Sequence, residues 1–196
     1  MRVDDLIEIL EGVREAVEEY KLRYIGGDLN ESQTPWIDVA VISYTSVKKP
    51  PSRCCVKVGD KIIVTGVYGA MGYVAVHGLN EASKQKWVVD ATRRPRLHLE
   101  TAFIIGKYYK SIHASMDVSD GLGYTLLELS KPSGFGIVLR NHPVYHRELD
   151  ELCLDTVCKW KYVLNGGEEY GVVLSIDSKW VDKIARDLEM YNIPFS

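Results

Sequence analysis

Apolar residues at Leu6, Leu10, Val13, Val17 and Tyr20 recur at steps of four and three, which is the spacing of one helical face, and predict a helix over the first twenty residues. Asp4 or Asp5 suits its start, where an acid caps free amides and opposes the helix dipole. Tyr24-Ile25 begins a short strand that ends at Gly26-Gly27-Asp28. Leu29 to Pro35 reads as a polar loop, and Trp36 to Tyr44, with its β-branched residues, as a second strand. Lys48-Lys49-Pro50-Pro51-Ser52 opposes regular structure and marks a boundary between residues 1–47 and 53–196. Beyond it, a Gly59-Asp60 turn leads to a strand from Lys61 to Thr65. Helices are predicted over Gly72 to Gln85, Pro95 or Leu97 to Tyr109, Gly121 to Ser130 and Arg147 to Leu154. Strands are predicted over Ser111 to Ala114, Gly136 to Leu139 and Tyr170 to Ile176. Ser178 caps a final helix that turns Val181, Ile184, Ala185 and Leu188 inward. Strands alternating with helices in the second part predict an α/β class, with α and β layers around one sheet.

Composition narrows the function without choosing it. The chain has 196 residues, 46% of them apolar, enough for a packed core. A net charge of −3 gives no electrostatic reason to expect nucleic acid or an anionic membrane surface. Arg93-Arg94-Pro95-Arg96 is the one tight basic cluster. The acidic, amphipathic start is unlike a signal peptide, and no apolar run is long enough to span a bilayer, so a soluble cytoplasmic protein is expected. Cys54, Cys55, Cys153 and Cys158 are expected to be reduced, mostly buried thiols: a bridge between neighbours would be strained, and the second pair lacks zinc-knuckle spacing.

The richest chemistry lies in Ser115-Met116-Asp117-Val118-Ser119-Asp120-Gly121-Leu122. Two carboxylates flank a hydroxyl where a buried strand is expected to give way to a helix carrying Leu122, Leu126 and Leu129 at helical spacing. Such a junction exposes acids at a sheet rim, where they can hold hard cations while helix amides meet phosphate. A strand ending in an Asp cap explains the same letters equally well. Gly66, Gly69 and Gly72 match neither a Walker loop nor a dinucleotide fingerprint and read as turn and close-packing residues. Pro143 between His142 and His146 rules out a regular helical metal site. His77, His98 and His113, with Trp87, Trp160 and Trp180, read as packing residues.

Five segments in order carry a family resemblance: Gly26-Gly27-Asp28, then Val58-Gly59-Asp60-Lys61-Ile62-Ile63-Val64-Thr65-Gly66, then Arg94-Pro95-Arg96, the Ser115–Leu122 stretch, and Asn165-Gly166-Gly167-Glu168-Glu169-Tyr170. The series resembles the thiamine-monophosphate kinase family, within the superfamily of aminoimidazole-ribonucleotide synthetase. The resemblance implies two α/β domains: residues 1–47 as the remnant of an N-terminal ATP-binding and dimerisation domain, and 53–196 as a C-terminal domain of the synthetase-like type. It implies transfer of the terminal phosphoryl group of ATP directly to thiamine monophosphate, with several Mg²⁺ ions and a homodimer in intact members. Matched to the motifs, Asp28, Asp117 and Asp120 would bind Mg²⁺. Gly27, Asp28, Arg53 and Ser119 would contact the nucleotide, and Glu168 the substrate. Glu169 stands where the family has Asp, which leaves a structural or an altered role open. The match at Arg53 is looser, because Cys54-Cys55 follows it.

The family's upstream acidic elements and its closing aromatic segment have no counterpart here, so the chain is expected to be a fragment, a mis-started frame or a degenerate relative. Weak or no turnover by this polypeptide alone follows as an expectation. Two other readings remain: another ATP-dependent reaction of the superfamily, or a non-catalytic relative that binds a nucleotide or a partner.

Overall fold

The computed structural model describes residues 2–196. The chain divides into two compact units, one running to Ser46 and the other from Val47 to Ser196. In the first, helix α1 spans Val3–Glu19. Its start is held by Asp5, whose Oδ2 accepts from the Arg2 backbone N–H at 2.9 Å, so the acid caps from inside the first turn. The apolar stripe forms as expected, yet no residue of α1 is buried. The strands predicted at Tyr24-Ile25 and Trp36–Tyr44 do not form. A strand persists only by laddering with a neighbour, and no ladder is made among the described residues of this unit. Val39, Val41 and Tyr44 stay exposed.

The second unit is built on a three-stranded antiparallel sheet. Its strands are β1 (Lys61–Val64), β2 (Ile112–Asp117) and β3 (Val172–Ile176), in the spatial order β1-β3-β2. The last strand in sequence lies in the middle, which is why its side chains are the most completely buried. Eight helices accompany the sheet: α2 (Ala70–His77), α3 (Leu79–Ala82), α4 (Lys86–Arg93), α5 (Glu100–Tyr108), α6 (Leu122–Ser130), α7 (Leu149–Leu152), α8 (Thr156–Asn165) and α9 (Val181–Met190).

Strand alternation sends residues to two cores. Val64, Met116 and Val173 join Tyr68, Leu122, Leu126, Leu129, Leu149 and Val163 on one face. Ile63, Leu174 and Ile176 join Ile104, Tyr108, Ile184 and Leu188 on the other. Ile112 and Ala114 should share a face by period two, but a register irregularity between them flips the phase, so they enter different cores.

At that irregularity, His113 Nδ1 lies 2.9 Å from both carboxylate oxygens of Asp60, and Ser175 Oγ donates to Asp60 Oδ2 at 2.6 Å. Burial pushes the Asp60 carboxyl up, but the bonds from Ser175, His113 and the Lys57 N–H outweigh it and hold it below the ordinary carboxylate value. A carboxyl depressed by folding stabilises the fold above its ordinary pKa, and that contribution is lost as pH falls through the folded value. Asp60→Asn is therefore expected to cost about 1–3 kcal/mol near neutral pH and much less in acid. Denaturant titrations of both chains across the acid range check this.

Other expectations need correction. The helix predicted from Gly72 to Gln85 is broken at Gly78, whose φ of 79° suits glycine. Gly136 to Leu139 forms no strand, and helix Arg147 to Leu154 shrinks to the single turn of α7. Helix α8 was not legible because its apolar residues lack a clean stripe. The final helix is led in by Asp177 rather than Ser178: Asp177 Oδ1 accepts from the Lys179 N–H at 3.1 Å. The cysteines, expected reduced, are instead bridged, Cys54 to Cys55 and Cys153 to Cys158. The end of α7 and the first turn of α8 bring the Cys153 and Cys158 Cα atoms to 5.4 Å, within bridging range. Among the described residues no helix is long and apolar enough to cross a membrane.

Candidate active site

Three loops meet at one end of the sheet, and their backbones make the contact. The segment after β2 carries Asp117, Ser119 and Asp120, and the segment before β3 carries Glu168. The Glu168 N–H donates to Ser119 O at 2.7 Å, the Tyr170 N–H to Val118 O at 3.2 Å, and the Val118 N–H to Gly171 O at 2.9 Å. These bonds extend the β2–β3 pairing past its formal end and set the Glu168 loop against the acidic loop. The third segment, 65–69, links β1 to α2. The Thr65 N–H donates to Val172 O at 2.9 Å, and the Val172 N–H returns a bond to Thr65 Oγ1 at 3.0 Å.

Approach this close requires residues without side chains. A Cβ on Gly167 would sit 2.8 Å from Ser119 O, and one on Gly121, whose φ is 102°, would press on Gly166 O and Leu164 O at 3.3 Å. A Cβ on Gly171 would overlap Thr65 O and the Tyr68 hydroxyl. The turn-and-packing reading of the glycines therefore describes what Gly72 and its neighbours do, and the motif Gly166-Gly167 does the same.

The acids at this junction are free to act. Asp117 and Asp120 are exposed, and neither forms an ion pair among the described residues. Asp120 Oδ2 accepts from Ser119 Oγ at 3.2 Å, while Thr125 Oγ1 donates to the Asp117 backbone O at 3.0 Å and ties that residue to α6. No group of three metal-ligating side chains gathers among the described residues. Two open carboxylates fit Mg²⁺, which takes one or two carboxylates and completes its shell with water and phosphate oxygens. They do not fit a closed metal cage.

Glu168 is exposed and holds a left-handed φ of 55°. Arg53 is exposed and follows Ser52, which bridges in parallel to Ala114 in β2. Gly27 and Asp28 belong to the first unit. There Asp28 Oδ1 accepts from the Leu29 N–H at 2.9 Å and Oδ2 from Asn30 Nδ2 at 3.0 Å, the pattern of an acid closing its own turn.

Sequence reasoning left Glu169 undecided, and the structure gives it a place. Its Oε1 accepts from the Gly69 N–H at 2.6 Å and the Met71 N–H at 3.1 Å, at the start of α2. Burial pushes its carboxyl up to about 8, against the opposing pull of the Met71, Gly69 and Ala70 N–H groups. The fully buried Tyr68 is the titratable neighbour; its phenol, raised by burial and by Glu169, donates to Thr65 O at 2.8 Å. A carboxyl raised by folding stabilises most below its ordinary value near 4.5, and the benefit is lost as pH climbs towards 8. At about 1.4 kcal/mol per pH unit, Glu169→Gln should gain on the parent across that range, by a few kcal/mol at the top. Stability curves at several pH values check this, and a difference that does not vary with pH contradicts it.

Comparison with known proteins now decides the family. The model of the AIR synthase related protein, C-terminal domain, matches residues 57–196. The chain belongs to that family. A thiamine-monophosphate kinase from Nitrosopumilus maritimus (strain SCM1) is 28% identical over 191 residues, covering 95% of this chain and 59% of the relative. Among solved structures, thiamine monophosphate kinase from Aquifex aeolicus superposes with a TM-score of 0.68 at 20% identity, covering 91% of this chain and 62% of that one. AaThiL complexed with AMPPCP and TMP superposes at 0.66 and 21% identity, over 91% of this chain and 58% of that one. These likenesses establish the α/β fold. The chain spans about three fifths of the length of the kinases it matches.

Proposed function

We propose that the protein serves ATP-dependent phosphorylation of thiamine monophosphate to thiamine diphosphate, by direct in-line transfer between the two phosphates, in the cytoplasm and as a homodimer. One observation carries this reading: the hydrogen-bonded convergence of the loop bearing Asp117, Ser119 and Asp120 with the loop bearing Glu168. The names of the relatives and the AMPPCP and TMP held by AaThiL support the choice of substrates. Both reactants are anions, so their approach must be neutralised before it can be aligned.

Asp28 in the first unit would bind Mg²⁺, as would Asp117 and Asp120 in the second. Bound there, the metal would offset the charge on the phosphate oxygens and favour in-line attack. Ser119 and Arg53 would contact the nucleotide. Glu168 would contact the acceptor. No covalent phosphoenzyme is needed, since every role is one of binding, orientation and charge. Calorimetric titration of the chain with AMPPCP and thiamine monophosphate, with and without Mg²⁺, tests the reading. Mg²⁺-dependent nucleotide binding is expected, followed by acceptor binding that Glu168→Ala weakens at least tenfold, or about 1.4 kcal/mol. Binding of neither ligand at millimolar concentration rejects it.

A further inference from the structure

The roles assigned above leave the Glu169 carboxyl unused. Glu169 Oε2 is shut away from solvent and has no hydrogen-bond partner among the described residues, while Oε1 spans the Gly69 and Met71 N–H groups at the start of α2. The residues on either side of Glu169 bond in a different direction: the Glu168 and Tyr170 N–H groups donate to Ser119 O and Val118 O in the acidic loop. Segment 166–171 is thus held on two sides, by its backbone to the loop after β2 and by the Glu169 side chain to α2.

The backbone shows what this double attachment enforces. Glu168 and Tyr170 have φ values of 55° and 50°, a region that side-chain-bearing residues leave unless their surroundings hold them there. Room for the long acid comes from Gly166, where a Cβ would approach Glu169 Oε2 to 3.1 Å and the Gly72 N to 2.5 Å. Gly69, with a φ of 108°, turns the chain so that its own N–H reaches the carboxylate.

We propose that Glu169 is a positioning residue that fastens segment 166–171 to the first turn of α2, holds Glu168 beside Ser119 and Asp120, and so sets affinity for the phosphorylated acceptor. The second half of this inference rests on the reading of Glu168 as the acceptor contact; the fastening itself does not. A shorter acid would fall one methylene short of Gly69 and Met71 unless the whole segment moved. The glutamate therefore matches the spacing between the two loops in this chain.

Amide hydrogen exchange by NMR on the full chain, beside titration with thiamine monophosphate and with AMPPCP, tests it. Glu169→Gln keeps an acceptor at Oε1 and should leave the exchange of the Glu168 and Tyr170 amides, and acceptor affinity, within about twofold of the parent. Glu169→Ala should speed exchange at those two amides about tenfold or more, leave Val173 and Leu174 in β3 protected, and weaken thiamine monophosphate at least about tenfold with AMPPCP unchanged. Unchanged exchange at Glu168, or equal loss throughout β3, overturns the proposal, the latter marking a merely structural role. If the alanine variant does not fold, Glu169→Asp replaces it, and the same two amides decide. A parent chain that protects Glu168 yet binds no thiamine monophosphate sinks the substrate reading and leaves the fastening to be judged on exchange alone.

Discussion

Replacing Asp117 and Asp120 together with Asn should weaken Mg²⁺-dependent AMPPCP binding by about 100-fold while barely changing stability. Each carboxylate is exposed, and neither is spent on an ion pair among the described residues, so the fold loses little when their charge is removed. Surface changes of this kind usually stay within about 0.5 kcal/mol. On the proposed reading nucleotide binding would lose far more, because the two negative charges that would concentrate Mg²⁺ beside the phosphates are gone. Calorimetry with AMPPCP and Mg²⁺, with thermal unfolding of the same samples, separates the two effects. A double variant that binds like its parent would remove the acidic loop from the nucleotide site. Equal loss of stability and binding would instead make it a structural element.

Gly72→Ala should be among the most damaging single substitutions in the second unit. The added methyl group would overlap the carbonyl oxygen of Tyr162, because α2 and α8 cross there backbone against backbone. Neither partner can yield by rotating a side chain, so the helices must separate and expose Tyr73, Tyr162 and Val163. A cost of about 3 kcal/mol or more follows, or a fall in midpoint of roughly 6–12 °C for a unit of this size. Gly12→Ala is the natural control. Gly12 lies in the exposed helix α1 with nothing within 4 Å of the new methyl group among the described residues, and there alanine should stabilise by about 0.5–1 kcal/mol. If both substitutions act alike, the close crossing of α2 and α8 is not the reason for the glycine.

What the sequence revealed depended on whether its information was local. Helix α1 and the β2–α6 junction were legible because periodicity, acids and glycine act within a few residues of one another. Trp36 to Tyr44 has strand-like residues, but propensity does not supply a partner, and no ladder forms there among the described residues. The bridged pair Cys153 and Cys158 was missed because its geometry depends on how α7 meets α8, which spacing does not encode. For the site, the motif order pointed to Asp117, Ser119, Asp120 and Glu168, and the second unit joins their loops through backbone bonds. Arg53 was tied to the nucleotide by position in a motif alone. Glu169 stayed ambiguous for a physical reason. Its partners are backbone amides a hundred residues earlier, and backbone amides leave no trace in residue type.

The proposed function requires the loops after β2 and before β3 to form one cation-dependent phosphate site. Mn²⁺ in place of Mg²⁺, added with AMPPCP to isotope-labelled protein, tests it most directly by broadening the amide signals nearest the metal. Selective loss of the Ser119, Asp120, Gly121 and Glu168 signals is expected, abolished by the double Asp117→Asn and Asp120→Asn variant. Broadening centred elsewhere, or unaffected by that variant, would contradict it.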